Sequence, residues 1–413
     1  MAIVRPFRAF RPQPELADRV AALPYDVMNS QEAGVMAAGN PYSFLHVDKS
    51  EIDLPPGTGL YDDIVYRTAA ANLDRMISEG VYLQEAKPCM YVYRQIMNGR
   101  AQTGVVACSS IDDYLQGVVK KHELTRPDKE DDRCRHVDVC DAQTGPIFLT
   151  YRRRPAIDRV VERVTAGEPL YDFVSGGVQQ TVWIIDGEDD ISLLQAEFAA
   201  AGCTYIADGH HRTASAVRVG CQRREQHPDY TGEEEYNYFL SVLFPDEQLY
   251  IMDYNRVVKD LNGLSEAAFL GQVGEQFVIT AWKGEGPCRP PQKHSFGMYL
   301  GGRWYLLAAK DGSFGNDPVS RLDVSILQNN LLAPVLGIGD PRTDKRIDFI
   351  GGIRGLEELE RRVQAEGGGV AFAMYPTTID DLMAIADAGL IMPPKSTWFE
   401  PKLLSGIFIH RLS

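Results

Sequence analysis

The chain has no basic surplus. Its 42 Lys and Arg stand against 57 Asp and Glu, a formal net charge of −15, which removes the broad cationic surface that nucleic-acid and acidic-membrane binders need. No nucleic-acid and no membrane partner is therefore expected. Apolar runs long enough to span a bilayer are also missing, and Met1-Ala2-Ile3-Val4-Arg5-Pro6 lacks the apolar core of a signal peptide, so a cytoplasmic protein is expected. The 7 Cys, at 89, 108, 134, 140, 203, 221 and 288, form no CxxC pair, which argues against a disulfide framework. Cys134 and Cys140 flank Arg135-His136 but have neither the spacing nor the second pair of a zinc site, so they read as structural. HExxH and GxxxxGK[ST] are both absent, excluding the metal-hydrolase and P-loop readings that those motifs carry.

What is present is ordinary for a soluble enzyme: 413 residues, 44% hydrophobic and 24% charged. That length exceeds one core and predicts two or three domains. The pattern suggests an N-terminal region 1–103, a central domain 104–255 and a C-terminal α+β region 256–413. Ile64, Val65, Ala69, Leu73, Met76 and Ile77 recur at helical spacing and predict a helix over 62–78. Asn98-Gly99 between two strand-like runs predicts a hairpin, as does Gly301-Gly302, and a third is read around Pro245-Asp246, joining 236–244 to 248–254. Helices are expected over 264–276, 321–336, 356–365 and 379–389, with strands at 277–282, 347–350 and 370–375. Strands in hairpins mixed with helices indicate an α+β fold with mixed sheets.

The most informative stretch is Tyr205-Ile206-Ala207-Asp208-Gly209-His210-His211-Arg212-Thr213-Ala214. An apolar strand ends in Asp-Gly and a helix begins on two His and an Arg. Gly209 permits a sharp turn and close approach to a ligand. A helix's first turn offers unpaired N–H groups and positive dipole, and Arg212 adds a fork that matches phosphate. Asp208 would hold a metal ion or take a proton. The plain alternative is an Asp that N-caps a surface helix.

Upstream lies a charged run, Lys120-Lys121-His122-Glu123-Leu124-Thr125-Arg126-Pro127-Asp128-Lys129, which by composition alone is a solvated face. Pro24-Tyr25-Asp26-Val27 and the late segment Pro393-Pro394-Lys395-Ser396-Thr397-Trp398-Phe399 also stand out, the latter as a rigid polar loop able to reach into a site. Together with Asp208-Gly209-His210-His211-Arg212, these stretches resemble the bacterial and archaeal family of unknown function called DUF1015. The central portion further resembles the ParB/sulfiredoxin-like fold, and within it the free-serine kinases, in which a Lys-x-His-Glu element precedes Asp-Gly-His-His-Arg.

The resemblance implies a metal-dependent small-molecule kinase. Glu123 and Asp208 would be catalytic, Glu123 accepting the substrate hydroxyl proton and Asp208 serving as a second acid or as the Mg²⁺ ligand. Gly209, His210, His211, Arg212 and Thr213 would cradle the donor phosphates, from ATP, ADP or pyrophosphate. Lys121, His122, Arg126, Lys129, Lys395, Ser396, Thr397 and Trp398 would contact a small-molecule acceptor, with free L-serine the first candidate. Where the family loop commonly places Tyr after the Arg, this chain has Thr213. A DNA-partition protein would need a helix-turn-helix after this domain, where strands are read instead, and a sulfiredoxin-like repair enzyme would need Cys where His210 stands. A nucleotide- or metabolite-binding regulator without turnover is the remaining alternative. It would need the phosphate loop and not Glu123.

Overall fold

A computed structural model describes residues 1–365 and 367–413. The chain forms two units, Met1–Leu249 with Pro401–Ser413, and Tyr250–Glu400. Both combine helices with sheets, and the first contains parallel as well as antiparallel strand pairs, so the architecture is α+β with a mixed sheet.

The first unit is built on a nine-stranded sheet. Its central strands Ile147–Tyr151 and Tyr238–Pro245 pair in parallel, while Tyr238–Pro245 runs antiparallel to Arg100–Ser110. Every residue of Ile147–Tyr151 is buried, the continuous apolar pattern of a strand covered on both faces. The hairpin Met90–Met97 to Arg100–Ser110 forms as read, with Asn98 at φ 52° and Gly99 at φ 77°. Those positive values are the ones a twisted two-residue turn requires. The boundary placed at 103/104 falls inside the strand Arg100–Ser110, and Met90–Met97 lies in the same sheet; the structure thus shows two units where three regions were expected. The helix Asp63–Ser78 buries Val65, Tyr66, Ala69, Leu73 and Met76, the apolar stripe its spacing predicts.

The second unit carries a six-stranded antiparallel sheet in the order Phe277–Ala281, Arg303–Ala309, Ser295–Leu300, Val370–Met374, Tyr254–Val258, Ile347–Gly351. Its core gathers Val257, Tyr299, Leu359 and Ala371. The helix Ile379–Asp387 starts on a capping box of Thr378 and Asp381, a signal worth about 1 kcal/mol.

Two local expectations change. The hairpin read around Pro245-Asp246 does not form, because Tyr238–Pro245 finds its partners in Arg100–Ser110 and Ile147–Tyr151, and Tyr254–Val258 pairs within the second unit. The helix read over 321–336 is an α-helical Asp323–Leu327 followed by a wider π turn, Gln328–Leu332. No helix of the described residues is long and apolar enough to cross a membrane.

Candidate functional site

The first unit brings the two charged elements together, and the topology shows why. The short strand Val119–Lys120 pairs in parallel beside Thr204–Asp208, and the helix Pro127–Cys140 packs along the helix His210–Gln226. Ser215 Oγ braces that packing by donating to the carbonyls of Glu130 and His211. The connection 121–126 must therefore pass over the point where Thr204–Asp208 turns into His210–Gln226. There the Arg126 N–H donates to His211 Nε2 at 3.0 Å, and the His122 N–H approaches His210 Nε2 at 3.5 Å.

Gly209 makes the turn at φ 92°, a left-handed conformation in which a side chain is strained. A Cβ there would also lie 3.2 Å from Arg212 Nε and Nη2, so the guanidinium occupies the space that glycine leaves. Arg212 Nη1 donates to the Pro146 carbonyl at 2.7 Å, and its buried Nε has no partner among the described residues. No side chain caps the helix. Its first-turn N–H groups keep their capacity for an acceptor, and with Arg212 beside them the arrangement is chemically suited to an anion.

Glu123 stands at the rim, its side chain 42% exposed and one oxygen 3.9 Å from His210 Nδ1, too long for a hydrogen bond but close enough for electrostatic orientation. His210 and His122 are both buried, their rings edge to face with centroids 4.4 Å apart. Burial holds both imidazoles neutral at pH 7, His122 being pushed down to about 4 despite the nearby Asp208 charge, and His210 well below its usual range with His122 adding to the effect. His211, also lowered by burial, accepts at Nε2. That bond sets the tautomer with the proton on Nδ1, a further donor.

Asp208, expected as the metal ligand, is engaged by two donors. Its Oδ1 accepts from the Gly209 N–H at 2.8 Å and its Oδ2 from Lys402 Nζ at 3.0 Å. Burial raises the Asp208 carboxyl, but Lys402, Arg212 and the Gly209 N–H outweigh that and hold it below the ordinary carboxylate range. The group of potential ligands the fold does assemble is His122, Glu123 and His210, with ligand atoms within 4.8 Å of one another. Both His122 ring nitrogens are buried with no partner in hydrogen-bond geometry. Two imidazoles and one carboxylate suit a borderline transition ion; they do not fit the expected magnesium, which favours oxygen ligands in an octahedron.

The other expected residues separate. Thr213 is fully buried and its hydroxyl donates to the Gly209 carbonyl, so that side chain braces the helix. Lys121 lies over the Tyr114 ring, Arg126 pairs with Asp128, and Lys129 reaches Tyr61. Lys395, Ser396, Thr397 and Trp398 belong to the second unit, where the Lys395 carbonyl accepts from Arg256, Ser396 Oγ donates to the Pro393 carbonyl, and Trp398 packs on Tyr254. Sequence reasoning missed Lys402 as the partner of Asp208. A lone Lys so far along the chain carries no local signal.

Fold and site together define an α+β protein in which a strand–glycine–helix turn with an uncapped first turn lies beside the Glu123 carboxylate. The family model described as "Protein of unknown function (DUF1015)" matches residues 4–325, and the chain belongs to that family. No curated protein matches it. Among solved structures, a free serine kinase variant in complex with AMP aligns at 13% identity and TM-score 0.36, covering 72% of this chain and 87% of the other. A free serine kinase variant in complex with ADP aligns at 14% and 0.36, covering 74% and 90%. SbnI with a C-terminal truncation, from Staphylococcus aureus, aligns at 12% and 0.37, covering 72% and 85%.

Proposed function

We propose that the protein is a small-molecule kinase that moves a phosphoryl group from a nucleotide or pyrophosphate to the hydroxyl of a small metabolite, with free L-serine the first acceptor to test. The observation that carries this reading is the approach of Glu123 to the first turn of the helix His210–Gln226. A module that only binds phosphate needs the loop and has no use for a carboxylate aimed at it.

Phosphoryl transfer is mostly positioning and charge neutralisation. The helix N–H groups and Arg212 meet the charge of the donor's phosphates. Glu123 accepts the proton of the acceptor hydroxyl as its oxygen forms the new P–O bond; the bridging P–O bond breaks and its electron pair leaves with the remaining phosphate of the donor. Neutral His210 orients the Glu123 carboxylate without cancelling its charge. A positioned base of this kind typically contributes about 10²–10⁴-fold in rate. Serine as acceptor is suggested by the Lys-x-His-Glu and Asp-Gly-His-His-Arg elements at 120–123 and 208–212.

The test is to incubate the purified protein with L-serine and ATP, ADP or pyrophosphate in turn and to look for phosphoserine. Glu123→Gln is expected to lower turnover by about 10²–10⁴-fold and to leave donor affinity nearly unchanged, since in this reading the carboxylate meets the acceptor hydroxyl and not the donor phosphates. Full activity in that variant removes Glu123 from the reaction. Tight donor binding with no product from any hydroxylated metabolite would make the protein a regulator instead.

A further inference from the structure

The phosphoryl chemistry above makes no use of the second unit, Tyr250–Glu400, which holds a cavity of about 230 Å³ with Lys293, His294, Arg321, Asp323, Tyr375 and Asp381 in its lining. The cavity lies at one end of the six-stranded sheet. There Val370–Met374 finishes beside the start of Ser295–Leu300, Met374 being paired with Phe296. An engineered cavity of about 150 Å³ takes benzene, so this one has room for a ligand of roughly six to ten heavy atoms.

The charges that line it are unevenly satisfied. Asp381 Oδ2 accepts from Lys293 Nζ at 2.6 Å and from the N–H and hydroxyl of Thr378 at 3.2 and 2.6 Å. Asp381 Oδ1 has no donor within hydrogen-bond distance among the described residues; the cation facing it, Arg321 Nη2, stands off at 3.8 Å. The Arg321 guanidinium makes no hydrogen bond among the described residues either, and its side chain is 47% exposed. Asp323 Oδ1 accepts from the His294 N–H at 2.8 Å, while its Oδ2 is buried with no partner among the described residues. An unpaired buried carboxylate oxygen is rare and calls for an explanation. Burial also pushes this carboxyl up to about 7, and an added positive charge would favour its ionised form.

With both acids ionised, Lys293 and Arg321 balance Asp323 and Asp381, so a simple anion or a simple cation meets as many like charges as opposite ones. A short zwitterion avoids that conflict. Its carboxylate matches the unpaired Arg321 fork, and its ammonium supplies donors to acids that lack them.

We propose that this cavity binds a free α-amino acid, with its carboxylate on Arg321 and its ammonium between Asp381 Oδ1 and Asp323. The site lies wholly within the second unit, and its binding does not rest on the kinase reading.

The test is calorimetric titration of the full chain, without nucleotide, with each standard free amino acid that lacks a hydroxyl, so that no probe can serve as a phosphoryl acceptor. The tightest binder is then compared with its 2-hydroxy acid, which lacks the ammonium, and with its decarboxylated amine, which lacks the carboxylate. Each analogue is expected to bind at least about 10-fold more weakly. Arg321→Gln removes an exposed charge, and Asp323→Asn removes the acid while keeping an acceptor for the His294 N–H. Each variant is expected to weaken amino-acid binding at least about 10-fold. Failure of every amino acid to bind at millimolar concentration overturns the proposal, as does unchanged affinity in either variant, or an analogue that binds as tightly as the amino acid itself. Phosphoserine formation is read separately, so either reading can fail while the other stands.

Discussion

Lys402→Met tests how the loop at Gly209 is held. Lys402 Nζ lies 3.0 Å from Asp208 Oδ2, with side-chain exposures of 13% and 28%. An exposed pair contributes about 0–1 kcal/mol, and breaking a fully buried one costs about 3–5 kcal/mol. Asp208 keeps part of its surface in solvent and retains the Gly209 N–H, so the expected loss lies between those limits, at about 2–3 kcal/mol. Asp208→Asn combined with Lys402→Met removes both charges and should recover most of it. The acid limb follows from the sign of the shift. Asp208 is held below its ordinary value in the folded state, so its contribution is complete above the unfolded pKa near 4 and is lost as pH falls further, through the folded value. Without Lys402 the folded value rises toward the ordinary one, and that part of the acid sensitivity should shrink. Urea unfolding at steps from pH 7 to pH 3 reads both effects. A loss under about 0.5 kcal/mol at pH 7, with an unchanged acid limb, would refute the reasoning, since that is the behaviour of a solvated pair.

Arg212→Ala is expected to weaken nucleotide or pyrophosphate binding by about 10- to 100-fold, the usual worth of a charge-assisted contact; unchanged affinity by calorimetry would discredit the cradle. Gly209→Ala places a side chain at φ 92° and against the Arg212 guanidinium, and should cost about 1–2 kcal/mol of stability and lower donor affinity together, read by melting and titration. Gly220→Ala would set a Cβ 2.4 Å from the Tyr236 carbonyl oxygen, so a loss of about 2 kcal/mol or more is expected in thermal unfolding. In the second unit, burial pushes the Asp323 carboxyl up to about 7. A raised carboxyl costs stability as pH rises from about 4 through 7, so Asp323→Asn should stabilise by roughly 3 kcal/mol at pH 8 and by little at pH 4, a difference that urea midpoints at the two pH values would show.

Local chemistry was legible wherever a few neighbouring residues decide it. Asn98-Gly99 and Gly301-Gly302 turn their hairpins because their backbones accept positive φ, and Thr204–Asp208 ends in a glycine and a helix because Gly209 can make that turn. Pro245-Asp246 misled because a turn-forming pair does not choose its strands' partners. Tyr238–Pro245 pairs with strands far away in the chain, and only their joint burial settles it.

The sequence by itself determined the α+β class, the glycine-hinged start of the helix His210–Gln226 and the identities of Glu123 and Arg212. Tertiary structure decided what those residues face. His122 meets His210 across 88 positions of sequence and Lys402 meets Asp208 across 194. Such pairs come from sheet order and helix packing, which depend on the burial of surfaces from the whole unit; no short window of residues encodes them.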